Sequence, residues 1–177
     1  MILAAWLLHS IRLAAALGMA LVAMQAPAVT GEYQGALLQL VRSSDQEIAQ
    51  RKDSAQRFYG IPAGEDEDRF IAQLRAVEPS NAETLASEVD RQRGLAASYH
   101  QIENTPALLR PIVAAKDVVG DEGGPRRQIA QTVFDSFTPQ LDLSFAAAVY
   151  GLLGLFLGSL FGELLIAGLL PRRRLEV

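Results

Sequence analysis

Glu163 is the side chain with the most to explain. It stands inside the apolar run Leu143 to Leu170, eight positions before Pro171. That is about 12 Å in from the end of a helix, where an ionised carboxylate is costly and is found paired, snorkelling or protonated. Arg12, in the apolar segment at the other end of the chain, can reach comparable depth and pair with it if that helix begins near Met1. If it begins near Ile11, Arg12 sits at the boundary, and Glu163 must snorkel, stay neutral or meet Arg172 or Arg173. Proton or ion handling is the chemistry such a carboxylate could do, and a structural ion pair is the plainer reading. Beside it, Gly154, Gly158 and Gly162 recur every four residues, with Gly151 one turn before. Small residues at this spacing make a groove in which a second helix backbone can lie closely. Ala14 and Gly18, and also Ala16 and Ala20, are the small residues of the first apolar segment that could fill it. Another copy or another protein could fill it as well.

Other reactive constellations are thin. The two histidines, His9 and His100, lie far apart, and His100 has Glu103 but no second histidine at ligand spacing, so no metal site is expected. Glu65-Asp66-Glu67-Asp68 lacks the spaced ligands and turn glycine of a calcium loop and reads as acids at a helix N-terminus. Gly120-Asp121-Glu122-Gly123-Gly124-Pro125 has no lysine-serine or lysine-threonine ending, carries two acids that would repel phosphate, and reads as a linker. There is no Gly-x-Ser-x-Gly and no cysteine, hence no familiar nucleophile, thiolate site or disulfide. No catalytic residue, cofactor or metal is expected, and a net charge of −4 gives no hint of a nucleic-acid partner.

The elements that position these residues follow from how charge is distributed. Residues 1–29 and 143–177 carry 6 of the 36 charged side chains, and residues 30–142 carry the other 30. Two apolar ends around a polar middle predict an all-α membrane protein, with two transmembrane helices joined by a helical extramembrane domain. Leu143 to Leu170 reaches about 42 Å as a helix, more than the ~30 Å hydrocarbon core. Asp142 or Ser144 can cap its start, and Arg172, Arg173 and Arg174 anchor its end in a basic tail, residues 171–177. Residues 1–29 read either as a signal peptide cut near Ala26 to Ala28 or as a retained first span, with the long apolar lead favouring retention. The arginines put both termini in the cytoplasm and residues 30–142 outside it, which in a bacterium is the periplasm.

The middle reads as helices broken by glycine and proline. A first, Glu32 to Tyr59, lays Leu37, Val41, Ser44, Ile48, Arg51, Ala55 and Phe58 along one seam. A short one runs from Glu65 to Val77. A third opens on the capping-box pattern Ser80-Asn81-Ala82-Glu83, carries Leu85, Val89, Gln92, Ala96, Tyr99 and Glu103 on its face, and is a candidate antiparallel partner of the first. A segment from Thr105-Pro106 is interrupted by Pro111, and Arg126 to Phe137 forms a last amphipathic helix.

Glu32-Tyr33-Gln34, Ala55-Gln56-Arg57-Phe58-Tyr59-Gly60 and Thr132-Val133-Phe134-Asp135-Ser136-Phe137-Thr138-Pro139, set between a first span ending in Gln25-Ala26-Pro27 and a glycine-rich second one, carry a resemblance. The chain resembles the bacterial family known as domain of unknown function 2937 over nearly its whole length. The resemblance implies a two-span inner-membrane protein and brings no site residues with it. From the residues themselves the expectation is a non-enzymatic protein whose periplasmic domain binds or positions a membrane or envelope partner, another membrane protein or a second copy. The alternative is a small oligomeric channel or transport accessory using the glycine face and Glu163.

Overall fold

The computed structural model describes residues 2–62, 66–140 and 143–169. Among them the regular structure is helical throughout, without a strand: α1 Ile2–Met24, α2 Ala26–Tyr59, α3 Glu67–Val77, α4 Pro79–Glu103, α5 Arg110–Val119, α6 Pro125–Ser136 and α7 Phe145–Leu169. The chain divides into two compact units. The first comprises Met1–Gly31, Pro106–Pro111 and Ser136–Val177, the second Glu32–Thr105 and Ile112–Asp135.

In the first unit α1 and α7 pack antiparallel along their lengths. The helical run through α1 and the stretch Phe145–Gly168 are each long and apolar enough to cross a membrane. Only 11% and 22% of their most apolar windows is buried within the protein, whereas the core helix of a water-soluble protein is mostly enclosed. Ser144 caps α7, its Oγ accepting from the Ala147 N–H at 3.2 Å. Asp142, the other expected cap, lies outside the described residues. The first helix stops at Met24, where Gln25 breaks it, and α2 starts at Ala26, so the boundary expected after residue 29 falls inside a helix.

In the second unit α2 and α4 run antiparallel, shown by Ser44 Oγ donating to Glu88 at 2.9 Å and Tyr59 Oη donating to Glu78 at 2.7 Å. Two apolar clusters hold them. One joins Ile48 and Ala55 of α2, Ile61, Phe70, Ile71 and Leu74 from the α3 region, and Ala82, Leu85 and Val89 of α4. The other joins Tyr33 and Leu37 of α2, Leu95 and Ile102 of α4, Ala114 of α5 and Ala130 of α6. Leu37, Leu74, Leu85 and Ile102 are fully enclosed, each burial contributing about 1.5–3 kcal/mol.

Four details depart from the sequence expectation, each for a local reason. Phe58 continues the α2 seam yet is 81% exposed. Gly60, at φ +68°, ends the helix in the left-handed conformation, with its N–H on the Gln56 carbonyl at 2.9 Å, and delivers Ile61 to the core in place of Phe58. In α4 the buried residues of the second half are Leu95, Ser98 and Ile102, not Ala96, Tyr99 and Glu103, because this half packs on α5 and α6 as well as α2, through Ala114, Ala130 and the Ser98 bond to Asp117. Pro79 at the first turn starts α4 a residue before Ser80, so no capping box forms, and Glu83 pairs with Arg75 Nε at 2.9 Å instead. Pro111 likewise sits in the first turn of α5, where it opens the helix and does not interrupt it.

Candidate functional site

The α1·α7 seam is built by absence of side chains. A Cβ on Gly154 would stand 2.5 Å from the Met19 carbonyl oxygen, and one on Gly158 2.7 Å from that of Ala15. At Gly151 it would meet Met24 Cγ at 2.6 Å, and at Gly162 the Arg12 Cα at 3.1 Å. All four glycines face α1, so the backbones approach as no larger residue would permit. On the α1 side the seam runs through Ala15, Ala16, Met19, Ala20 and Ala23. Ala14 and Gly18 are exposed and outside it, and nothing lies within 4 Å of a Cβ on Gly18. Two residues of helix is about 200° of rotation, which turns Ala14 and Gly18 away once Ala16 faces inward.

One end of the seam carries the charges. Arg12 Nη2 lies 2.6 Å from Glu163 Oε1, both side chains remaining partly exposed, while Arg12 Nε is buried without a hydrogen-bond acceptor. The pair is a charge-assisted contact between the two span-length helices. Arg172, Arg173 and Arg174 lie outside the described residues. His100 is exposed, its Nδ1 3.2 Å from Glu103 Oε2 and its ring edge-on to Tyr99. Among the described residues no group of three or more histidine or carboxylate side chains could hold a metal ion.

A second polar constellation, in the helical unit, escaped the sequence reading. Asp117 of α5 has its side chain only 5% exposed and receives three donors. Tyr33 Oη of α2 donates to Oδ2 at 2.9 Å, while Ser98 Oγ of α4 at 2.9 Å and Arg126 Nη1 of α6 at 2.7 Å donate to Oδ1. Arg126 Nη2 also reaches Asp121 Oδ1 at 3.1 Å, and the Arg126 backbone N–H donates to Asp121 Oδ2 at 2.8 Å, which caps α6. The presumed linker of residues 120–125 is therefore a folded turn. Gly123 takes φ +77°, and a Cβ on Gly124 would collide with the Asp121 carboxylate.

Electrostatics follow the geometry. The Arg126 guanidinium bonded to Asp121 holds that carboxyl below its usual range, and the same contact raises Arg126, which stays charged. Burial first, then its hydrogen bond to Asp117, pushes the Tyr33 phenol well up. An open cavity of about 380 Å³ adjoins Ser98, Asp121 and Arg126, but the guanidinium there is already occupied by two carboxylates of the same chain. The cluster is a clasp joining four helices. The signal that could have found it was Asp117 itself, the one acid of α5.

A family model described as a protein of unknown function, DUF2937, matches residues 7–175. No curated protein and no solved structure matches the chain.

Proposed function

The chain belongs to the DUF2937 family, and from that premise we propose a non-enzymatic inner-membrane protein whose helical unit binds or positions a membrane or envelope partner. The family carries no assigned activity, so the reading rests on geometry. Phe58 is the observation that carries it. It extends the buried seam of α2 by one more turn, yet at the far end of a helix about 50 Å long it is 81% exposed. An exposed aromatic side chain in line with a packing seam is the kind of anchor a partner helix or domain buries. Val77, also exposed, closes α3, and Glu78 directly after it holds Tyr59, the neighbour of Phe58.

On this reading α1 and α7 are membrane spans. The packing of α1 against α7 favours α1 being retained and not removed as a signal peptide. The arginines at 172–174 and Arg12 favour cytoplasmic termini and a periplasmic helical unit. The channel alternative draws less support. The glycines that were to line a subunit interface pack on α1 of the same chain, and Glu163 is held by Arg12.

Affinity recovery of the intact chain from mild detergent tests the proposal. A stoichiometric partner or defined homo-oligomer is expected with the wild type and is lost with Phe58→Ser, whose melting temperature stays within a few degrees because an exposed side chain is changed. A clean monomer under every crosslinking condition, or full recovery with Phe58→Ser, overturns it.

A further inference from the structure

Helices α3, α5 and α6 are of similar length, 11, 10 and 12 residues, but they are held in different ways. α3 buries Phe70, Ile71 and Leu74, three large apolar side chains. α5 buries Ala114, and α6 buries Ala130 and Val133, with Val113, Val118 and Ile129 partly enclosed. Burial stabilises in proportion to the apolar area removed from water, so the apolar attachment of α5 and α6 is weaker than that of α3. The Asp117 cluster supplies the rest of the attachment, and its charges all lie on one side of the junction. Asp117, Asp121 and Arg126 belong to the α5–α6 hairpin itself. From outside the hairpin come Tyr33 of α2 and Ser98 of α4, each donating a hydroxyl bond to Asp117 at 2.9 Å, with Ser98 Oγ also accepting from Arg126 Nη1 at 3.2 Å. Both of these side chains are neutral.

We propose that α5 and α6 form a latched flap, which opens away from α2 and α4 as one piece while the rest of the helical unit stays folded. Release breaks the hydroxyl bonds of Tyr33 and Ser98 but leaves Asp117 and Asp121 paired with Arg126, so opening strands no unpaired charge. The turn of the hairpin keeps its own ties, since the Arg126 N–H on Asp121 and the left-handed Gly123 both lie within it. The chain can pivot at either end, where turns and irregular backbone precede α5 at 104–109 and follow α6 at 137–140. A segment with few buried apolar side chains is the part of a domain that opens first. Opening uncovers Tyr33, Leu37, Leu95 and Ile102, all enclosed when the flap is shut, so two hydroxyl groups control access to an apolar surface of α2 and α4.

Because the chain has no cysteine, thiol labelling at buried alanines reads the opening directly. Ala114→Cys and Ala130→Cys report on the flap, and Ala55→Cys and Ala82→Cys on the apolar cluster that holds α3. Each full-length variant, in detergent micelles, is labelled with excess aromatic disulfide reagent at a series of urea concentrations below the unfolding transition. Labelling at 114 and 130 is expected to be at least about tenfold faster than at 55 and 82, with a shallower urea dependence because the opening exposes less surface. Adding Tyr33→Phe should speed labelling at 114 and 130 about fivefold, the effect of one neutral hydrogen bond. Adding Ile71→Val should speed labelling at 55 and 82 severalfold and leave 114 and 130 unchanged, because the cluster around Ile71 is intact with the flap open or shut. One rate and one urea slope at all four positions means that the helical unit opens as a single body, and overturns the proposal. So does Ile71→Val speeding all four alike, or Tyr33→Phe leaving 114 and 130 unchanged. Positions 114 and 130 report independently, so if one variant fails to fold the other decides.

Discussion

Asp117 concentrates the chemistry of the helical unit in one carboxylate. Tyr33→Phe removes one of its three donors, and a loss of about 1 kcal/mol in unfolding free energy is expected from urea titration. Asp117→Ala leaves Ser98 and Tyr33 without this acceptor and Arg126 with Asp121 as its one carboxylate partner. About 2–4 kcal/mol is expected, at the low end for a broken buried pair because Arg126 keeps partial solvent access. The pH dependence has two limbs. Asp121 titrates lower in the folded protein than in the unfolded chain, so its contribution is present above about pH 4, the unfolded carboxylate value, and disappears as pH falls through the folded value. Tyr33 titrates higher when folded, so its contribution is complete below about pH 10 and declines as pH rises toward its folded value. Melting curves across pH should show both limbs, with the alkaline one reduced in Tyr33→Phe. None of this was readable beforehand, because the partners Tyr33, Ser98 and Arg126 lie 84, 19 and 9 positions from Asp117 and only the fold brings them together.

Helix faces were far more legible than helix ends. The repeat through Leu37, Ser44, Ile48 and Ala55 is visible as spacing and is buried as spaced, since an apolar stripe has one stable place to go. Phe58 looked the same in sequence, and only the left-handed turn at Gly60 decided that Ile61 and not Phe58 enters the core. Gly60→Ala is expected to cost about 1–2 kcal/mol, read as a lower urea midpoint at unchanged slope. The span pair gives a sharper contrast. Gly154→Ala and Gly158→Ala force atoms into the Met19 and Ala15 carbonyls and should destabilise the detergent-solubilised protein by about 1–3 kcal/mol. Gly18→Ala meets nothing within 4 Å and should leave the melting temperature unchanged or slightly raised. The glycine spacing predicted close approach, but it did not say which alanines would receive it. On α1, small residues occur on more than one side, and composition alone cannot choose between Ala14 with Gly18 and Ala16 with Ala20.

At the scale of the whole molecule, the partition of charge marked two span-length helices and a polar helical middle. The structure refines this by assigning Pro106–Pro111 to the spans' unit, a segment whose sequence gives no apolar run long enough to announce it. Reporter fusions test the topology. A fusion after Val177 should be active in the cytoplasm and one at Gly123 in the periplasm, and both active in one compartment would refute two crossings. The clasp has one more implication, for the order in which the polypeptide assembles. Its four contributors come from residues 33, 98, 117 and 126, and it closes only when α2, α4, α5 and α6 are all in place. A contact that depends on so many distant segments is expected to close late in folding, so that Asp117→Ala speeds unfolding more than it slows refolding in stopped-flow measurements. On that expectation Asp117 sets how long a helical unit, once assembled, endures before it opens to a protease.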